Sequence, residues 1–195
     1  MSTFYLVRHG TNDWLGKIIP GWMPIELNEE GRQQAARVAA RLKSSGISRI
    51  YSSPVKRATQ TAQALADAVG IPVEPRDEFG EVHPGEWTGK TMDELEQDPR
   101  WRLYNRFRSG TRAPGGELMI ETQARVVVGM ERLRVEHPNE SIAIFSHGDP
   151  IKVALMNYLG MPIDFIYRLE VGPASVSVVR VEDWGATVLK INEGA

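Results

Sequence analysis

Residues 3–10, TFYLVRHG, and residues 141–148, SIAIFSHG, decide the fold of this chain. Each is a short apolar run that ends in a histidine and a glycine, as expected of a strand buried on both faces. Parallel pairing of the two strands would bring His9 and His147 to the same edge of a sheet. A single strand-end histidine usually serves only as a loop contact. Two of them, each followed by a glycine that lets backbone N–H groups approach a ligand, predict an anion site of phosphate size.

Outward from these two strands, further apolar runs alternate with helical patterns. Strands are predicted near 49–52 and 71–75, and a final strand pair over 174–181 and 187–191. Helices are predicted over 28–46, 54–69, 118–136 and from 150 onward, with Ser53 and Asp149 as the N-caps of the second and the last. The alternation predicts an α/β fold, a three-layer sandwich in which helices flank a mostly parallel central sheet. Ligands of such sheets bind beyond the carboxyl ends of the strands.

Residues 76–116 interrupt this alternation. They start as a loop with several Gly and Pro residues, continue as one or two short helices over 91–108 that break near Asp98 and Pro99, and end as a loop. Long irregular segments in compact domains often carry function. We therefore predict a single domain over 1–195, with a lid-like helical and loop insertion at about 76–116 over the active site.

Length and composition exclude several classes of protein. The 195 residues suit one large domain, and 42% hydrophobic with 25% charged residues is typical of globular proteins. The absence of cysteine excludes disulfide frameworks, thiolate zinc sites and cysteine nucleophiles. A formal charge of −2 provides no general attraction to nucleic acid or to anionic membranes, so we expect neither as a partner. Without a signal-like or membrane-length apolar run, the expected compartment is the cytoplasm.

The helix that follows Ser53 and Pro54 has two cations, Lys56 and Arg57, in its first turn. The helix macrodipole disfavours each cation there by about 0.3–1 kcal/mol. A bound anion would compensate, because helix N-termini and arginine side chains both suit phosphate. A solvated side chain that points away from the helix end explains Lys56 better than Arg57. The pattern therefore assigns Arg57 to the anion site.

Six stretches occur in order along the chain: LVRHG at 6–10, LNEEGRQQA at 27–35, SSPVKRATQTA at 52–62, EVHPGEWTG at 81–89, PGGE at 114–117 and SHG at 146–148. As an ordered set they resemble the motifs of the histidine phosphatase superfamily, which includes cofactor-dependent phosphoglycerate mutases and many small phosphatases. The resemblance spans nearly the whole chain. It favours the small phosphatase branch of this superfamily.

The resemblance implies a role for each residue that matches the motifs. His9 would be the nucleophile that takes the phosphoryl group, and Arg8, Arg57 and His147 would hold its oxygens. Fixed Arg and His donors supply the positioning and charge stabilisation that phosphoryl transfer requires. A neutral imidazole is a competent nucleophile near neutral pH, and a covalent intermediate divides one difficult step into two easier ones. The expected site contains no metal ion and no cofactor.

The leaving alkoxide needs a proton, and the resemblance assigns Glu81 as the general acid. Glu86 is the rival carboxylate, but it lies inside the Gly-x-Trp segment, whereas Glu81 precedes it, where the family carries its acid. Burial would have to raise the pKa of Glu81 for it to donate a proton near neutrality. The alternative is that Glu81 is a surface glutamate of a loop.

The chain departs from the family pattern in the predicted substrate pocket. Family members commonly have an asparagine and a glutamine that contact phosphate, and Leu15 and Pro20 stand at those positions. Asn12 or Lys17 could replace the lost donors, although Asn12 could equally form a turn. The predicted substrate-binding residues are Arg8, Arg57, His147, Gly148, Asn12 and Trp22.

The insertion carries a run of basic and aromatic residues. Arginines stand at 100, 102, 106, 108 and 112, interleaved with Trp101, Tyr104 and Phe107. This segment could cover the pocket as a lid that holds an anionic or planar leaving group. It could equally be a solvated helix face with an apolar underside.

The primary functional prediction is a metal-independent phosphomonoesterase that acts on a small phosphorylated metabolite through phospho-His9. The first alternative is a mutase of phosphorylated glycerate, which the length of the chain disfavours because resembling mutases carry additional segments around the substrate. The second is a noncatalytic module that binds a phosphorylated ligand. The third is a metal enzyme that uses His9, His83 and His147, for which the sequence has no cluster of paired carboxylates. The natural substrate and the formation of a homo-oligomer are left open.

Overall fold

The architecture comes from a computed structural model that describes residues 1–194. Six strands alternate with six α-helices. The strands are β1 Ser2–Arg8, β2 Ile47–Ser52, β3 Val73–Pro75, β4 Ser141–Ser146, β5 Val176–Glu182 and β6 Gly185–Glu193. The helices are α1 Glu29–Leu42, α2 Lys56–Val69, α3 Met92–Glu96, α4 Pro99–Arg106, α5 Met119–Glu136 and α6 Gly148–Leu159. Short 3-10 helices cover Asp77–Phe79, Gly85–Trp87 and Ile163–Arg168. None of the helices in residues 1–194 has the length and apolar character needed to cross a membrane.

The strands form one sheet in the order β3-β2-β4-β1-β5-β6. The pairs β2–β3, β2–β4 and β1–β4 are parallel, whereas β5 pairs antiparallel with β1 and β6. Buried side chains of α5 and α6 cover one face of the sheet, and those of α1 and α2 cover the other. The predicted α/β sandwich with a mostly parallel sheet is therefore confirmed.

The register of the central strands positions the two histidine motifs. Arg8 at the end of β1 pairs with Ser146 at the end of β4. Four of the seven residues of β1 and five of the six residues of β4 are buried, and neighbouring parallel strands end at the same edge of the sheet. His9 and His147, each the next residue along the chain, therefore emerge side by side.

The predicted N-caps of two helices are wrong. Helix α2 begins at Lys56 with Val55 as its N-cap, and Ser53 lies in the preceding turn, where its hydroxyl accepts the Val55 N–H at 3.2 Å. Helix α6 begins at Gly148 after His147, so Asp149 lies in its first turn. Ser53 is displaced from the cap position because its hydroxyl also contacts the ring of His147. The cap of α1 is as predicted, since the Asn28 side chain accepts the Gly31 N–H at 2.9 Å.

Residues 76–116 contain α3, α4 and two of the 3-10 helices, and the break between α3 and α4 falls at Asp98, as predicted. Their apolar side chains form a third cluster, in which Trp87, Leu95 and Tyr104 pack with Val153 and Met156 of α6. The segment is thus held against α6, the helix that follows His147.

Candidate active site

A cavity of about 210 Å³ opens at the carboxyl ends of β1 and β4. Its polar lining consists of Arg8, His9, Asn12, Glu81, Arg108 and Asp149. Its apolar lining includes Leu15, Ile18, Ile19, Pro20, Val82, Trp87, Trp101 and Tyr104. The site therefore lies where an α/β sheet is expected to bind ligands, and its lining combines charged groups with a large apolar surface.

The bonds that His9 makes assign its tautomer. Nδ1 lies 2.7 Å from the carbonyl oxygen of Gly10, which can only accept, so Nδ1 carries the proton. Nε2 then carries the lone pair, and Arg57 Nε donates to it at 3.1 Å. Burial, with Arg57 and Arg8 close by, lowers the pKa of His9 well below its usual value. His9 is therefore a neutral imidazole whose Nε2 carries no proton.

His147 lies beside His9, with a distance of 5.1 Å between the ring centroids. It is fully buried, and its Nε2 is 2.8 Å from Ser53 Oγ. Its Nδ1 is buried without a hydrogen-bond partner and lies 3.5 Å from a carboxylate oxygen of Glu81. Burial first, and Arg57 next, lower the pKa of His147 well below its usual value. A neutral His147 with its proton on Nδ1 would present that N–H to a phosphoryl oxygen.

Two arginines flank His9. Arg57 is fully buried, and besides His9 its Nη2 contacts the carbonyl oxygen of Gly21 at 2.9 Å. Arg8 lines the cavity, donates through Nη1 to the carbonyl oxygen of Val171 at 2.6 Å, and holds its buried Nε without a partner. Lys56 points away, is about half exposed and forms an ion pair with Glu26. The two cations at the start of α2 thus differ as the sequence indicated.

The carboxyl group of Glu81 lies between the side chains of Arg57 and His147. One oxygen accepts the Val82 N–H at 2.9 Å, and the other is 3.5 Å from Arg57 Nη2 and 3.5 Å from His147 Nδ1. Burial raises the pKa of Glu81, while Arg57 opposes this and Asp149 adds to it. The rival Glu86 is exposed and pairs with Arg100. Of the two loop glutamates, only Glu81 lines the cavity.

The two glycines that follow the histidines serve different purposes. A Cβ at Gly10 would lie 2.6 Å from the carbonyl oxygen of Gly31, so this glycine is required by the packing of the β1 loop on α1. A Cβ at Gly148 would lie 3.4 Å from the guanidinium carbon of Arg8 inside the cavity lining. Of the two glycines, Gly148 lines the cavity, whereas Gly10 lies outside its lining and donates its N–H to Thr61 Oγ1 at 3.1 Å.

Two of the predicted substrate-binding residues have different surroundings. Asn12 lines the cavity, but its side-chain oxygen accepts the Trp14 N–H at 3.0 Å and so forms a turn. Trp22 lies outside the cavity lining, stacks on His83 at 4.5 Å and donates from Nε1 to the carbonyl oxygen of Glu81 at 2.7 Å. The structure therefore places Trp22 behind the loop that carries Glu81.

The unusual residues Leu15 and Pro20 both line the cavity, whereas Lys17 does not. An aliphatic group and a proline ring thus stand where the family pattern has amide side chains. The cavity gains apolar surface at these positions and no hydrogen-bond donor.

Sequence reasoning missed Arg125 of α5. Its guanidinium donates to the carbonyl oxygens of Glu78, Gly80 and Glu81, at 2.8, 2.9 and 3.0 Å. It also pairs with Glu117 at 2.7 Å. Three main-chain bonds from one side chain fix the loop that presents the Glu81 carboxyl group. Glu117 belongs to the PGGE stretch, but no spacing along the chain relates Arg125 to Glu117 or to residues 78–81.

Of the basic residues in the insertion, only Arg108 reaches the cavity. Three of the other arginines make surface contacts: Arg100 with Asp98 and Glu86, Arg102 with the carbonyl of Glu96, and Arg112 with Glu121. Trp101 and Tyr104 line the cavity, and Phe107 is half exposed. The segment is thus part cavity wall and part solvated surface.

The described part of the chain, 1–194, holds no group of three or more His, Asp or Glu side chains arranged to bind a metal ion. His83, which the metal interpretation would need beside His9 and His147, stacks on Trp22 and lines a separate surface pocket.

Comparison with known proteins gives one family. A sequence model of the histidine phosphatase superfamily (branch 1) matches residues 4–194. Phosphoserine phosphatase 1 of Hydrogenobacter thermophilus is 30% identical over 196 residues, with 98% of this chain and 92% of that protein covered. The probable phosphoglycerate mutase GpmB of Escherichia coli is 33% identical over 187 residues, with 94% and 86% covered.

Solved structures with the same fold are also similar in sequence. YhfR of Bacillus stearothermophilus has a TM-score of 0.94 and 27% identity, with 100% of this chain and 98% of that chain covered. A mutant phosphoserine phosphatase from Entamoeba histolytica in complex with phosphoserine has a TM-score of 0.90 and 28% identity, with 99% of this chain and 98% of that chain covered. Mycobacterial glucosyl-3-phosphoglycerate phosphatase has a TM-score of 0.88 and 26% identity, with 98% of this chain and 99% of that chain covered.

Proposed function

Because this chain belongs to the histidine phosphatase superfamily, we propose that it hydrolyses small phosphomonoesters through a phosphohistidine on His9, without a metal ion. The relatives named as phosphatases support the class of reaction. The observation that carries the mechanism is the unprotonated Nε2 of the cavity-lining His9: the Nδ1 bond to Gly10 fixes the tautomer, and Nε2 accepts a hydrogen bond from Arg57 that a phosphoryl group would replace. The single domain 1–195, with residues 76–116 as an insertion over the site, is part of the same proposal.

In the first step His9 Nε2 attacks phosphorus, a nitrogen–phosphorus bond forms, and the bond to the leaving oxygen breaks. The Glu81 carboxyl group gives its proton to that oxygen, so that a neutral alcohol departs. In the second step water attacks the phosphohistidine, Glu81 takes a proton from the water, and His9 is released as the neutral base. Glu81 alternates between acid and base, as a group with a raised pKa can do near neutrality.

Fixed donors stabilise the transferring group. Arg57 Nε already lies 3.1 Å from the attacking nitrogen, so it would meet a phosphoryl oxygen as the bond forms. Arg8 Nε and His147 Nδ1 are buried without partners, and phosphoryl oxygens would satisfy both. Such donors cost little to reorganise during reaction, because folding has already positioned them.

Water is proposed as the acceptor in preference to a second alcohol. A mutase would use the same His9, but its substrate carries a carboxylate in addition to phosphate. The only Lys or Arg side chains in the cavity lining of the described chain are Arg8 and Arg108, and Arg108 is already paired with Asp149. Phosphate release against isomerisation of phosphoglycerate separates the two activities.

The first test concerns Glu81. E81Q is expected to lower kcat for alkyl phosphates about 10²–10⁴-fold, the usual contribution of general acid catalysis. The loss for p-nitrophenyl phosphate should be much smaller, because its leaving group needs little protonation. Steady-state kinetics with both substrates measures the difference. The basic limb of the kcat/KM profile, where the raised pKa of Glu81 is crossed and its proton is lost, should also disappear in E81Q.

E86Q is the matched control, since Glu86 is an exposed carboxylate of the same loop. It should retain activity on both substrates and keep the basic limb. Equal losses on both substrates in E81Q, or a selective loss in E86Q, would show that the acid has been assigned incorrectly.

The second test concerns Arg125, which we propose as a positioning residue for the acid. R125Q removes the three bonds to the carbonyls of residues 78–81, so the Glu81 carboxyl group should lose its fixed orientation. We expect a loss of about tenfold or more for alkyl phosphates, with p-nitrophenyl phosphate affected less, since misplacement of a catalytic group costs rate only where that group is used. R132Q is the control, because Arg132 lies on the same helix and contacts only the Glu78 side chain of this loop. A uniform loss on both substrates would indicate a purely structural role.

A further inference from the structure

The cavity lining contains a partly buried ion pair that the proposed reaction does not use. Arg108 Nη1 lies 3.0 Å from Asp149 Oδ2, and the Arg108 side chain is only 7% exposed. Its Nη2 donates to Tyr167 Oη at 2.7 Å and to Asn105 Oδ1 at 3.0 Å. Its guanidinium carbon lies 4.3 Å from the centre of the Tyr104 ring. Arg108 is thus fixed on several sides, with Asp149 as its counter-ion.

The local position of Asp149 already favours a carboxylate without any ion pair. It lies in the first turn of α6, where the helix macrodipole favours a carboxylate. Its pairing with Arg108 is a long-range contact. Arg108 comes from the insertion, 41 residues earlier in the chain, and both residues line the cavity. The pair joins the lid segment to the helix that follows His147.

Much of the remaining cavity wall is apolar. Leu15 and Pro20 contribute where the family pattern has amides, and Ile19, Val82 and Trp87 also line the cavity. A leaving group bound here would contact hydrocarbon and aromatic rings, and besides Arg8 the only guanidinium in the lining of this cavity, as described for residues 1–194, is that of Arg108.

Three guanidinium groups lie in the cavity lining or directly behind it, those of Arg8, Arg57 and Arg108. Arg8 donates to the carbonyl oxygen of Val171, and Arg57 contacts His9, whereas Arg108 is paired with the carboxylate of Asp149. A phosphoryl group, which carries about two negative charges near neutral pH, would therefore be held by Arg8 and Arg57, while Arg108 already has a counter-ion.

We propose that Asp149 masks Arg108 and thereby selects phosphomonoesters with an uncharged, apolar or aromatic leaving group. This inference rests on the proposed function and names its substrate class. A leaving group with a carboxylate or a second phosphate would have to displace Asp149 from Arg108. The displaced carboxylate would then remain beside the substrate anion without its counter-ion, and such like-charge contacts discriminate strongly against a ligand.

The test compares binding of three non-hydrolysable probes of nearly equal size: benzylphosphonate, 4-carbamoylbenzylphosphonate and 4-carboxybenzylphosphonate. Isothermal titration at one pH gives Kd for wild type, D149N, the double variant D149N/R108Q, and E86Q. Wild type should bind the carbamoyl probe about tenfold or more tightly than the carboxy probe, because like charges in a poorly solvated site repel. In D149N the unmasked Arg108 should remove or invert this ratio. D149N/R108Q should restore the preference for the uncharged probe.

E86Q controls for the general effect of removing one negative charge, because Glu86 is an exposed carboxylate outside the cavity lining. Its Kd ratio should equal that of wild type. A fourth probe, the phosphonate analogue of phosphoserine, carries an ammonium and a carboxylate together. Tighter binding of that probe than of benzylphosphonate would mean that the ion pair opens to receive a zwitterion, and it would overturn the proposal.

An unchanged ratio in D149N would also overturn the proposal, since Asp149 would then have no part in selection. Turnover of phenyl phosphate by wild type is measured separately. Its absence would contradict the proposed phosphatase function, whereas the Kd ratios depend only on binding, so the two failures are distinguishable.

Discussion

Replacing His9 with alanine is expected to lower kcat for p-nitrophenyl phosphate by at least about 10³-fold, because the covalent route is lost and no neighbouring group can replace it. His147 is near enough, but its Nε2 is engaged with Ser53 and its Nδ1 faces Glu81. Arg57 Nε would lose its acceptor in a buried site, so the free energy of unfolding should fall by about 1–3 kcal/mol. Steady-state kinetics and chemical denaturation measure the two effects.

H83A is the matched control for H9A, since His83 is an imidazole of the adjacent loop that does not line the cavity. It should retain most of the activity, whereas a metal site built on His9, His83 and His147 would lose activity in both variants. Near-full activity in H9A would disprove the mechanism.

The same prediction has a chemical signature in wild type. Enzyme quenched during turnover of labelled p-nitrophenyl phosphate should carry phosphate on His9. The good leaving group makes breakdown of the intermediate the slow step, so phosphoenzyme should accumulate. A phosphoramidate is labile in acid and stable in alkali, whereas an acyl phosphate on Asp149 or Asp13 is hydrolysed in alkali. Acid-stable label, or label in a peptide without His9, would contradict the assignment.

The second large effect is expected at Arg57. R57Q should lower kcat by about 10²–10³-fold, the usual cost of removing one fixed donor to a developing oxyanion. Arg57 also donates to the carbonyl oxygen of Gly21 at 2.9 Å, so the substitution leaves a main-chain acceptor in the buried site without its partner. A lower free energy of unfolding, by about 1–3 kcal/mol, should therefore accompany the kinetic defect.

K56Q is the control for R57Q, because it removes the adjacent cation of the same helix turn. Lys56 is about half exposed and pairs with Glu26, and such surface pairs contribute at most about 1 kcal/mol. K56Q should therefore retain nearly full kcat and stability. If K56Q and R57Q lose the same factor, the effect comes from the charge of the helix end and not from the bond to His9.

Local patterns along the chain were sufficient to predict the strands of the sheet and the proximity of His9 and His147. Buried parallel strands are recognisable as short apolar runs, and once β1 and β4 pair, their ends must coincide. The two cations at the start of α2 were predicted to differ because a solvated side chain explains Lys56 better than Arg57, and in the structure Arg57 contacts His9 while Lys56 is half exposed and pairs with Glu26. Glu81 came from family resemblance, since nothing in the periodicity of residues 76–90 marks an acid.

The helix caps show where local reasoning fails. Ser53 and Asp149 are good capping residues by type. In the folded chain, Ser53 contacts His147 and Asp149 pairs with Arg108, so each side chain is drawn to a partner that is distant in sequence. Tertiary contacts overrode the local preference, as they do at sites with several polar groups to satisfy.

By itself, the sequence determined the class of fold, the meeting of His9 with His147, and the motifs that relate the chain to one superfamily, because these depend on strand burial, strand direction and residue type. Only the tertiary structure decided that Trp22 and Arg125 support the Glu81 loop from behind, that Arg108 alone of the basic segment enters the cavity, and that Asp149 neutralises it. Those contacts join residues from separate elements. Their geometry follows from how loops pack on the finished core, a property that no spacing along the chain encodes.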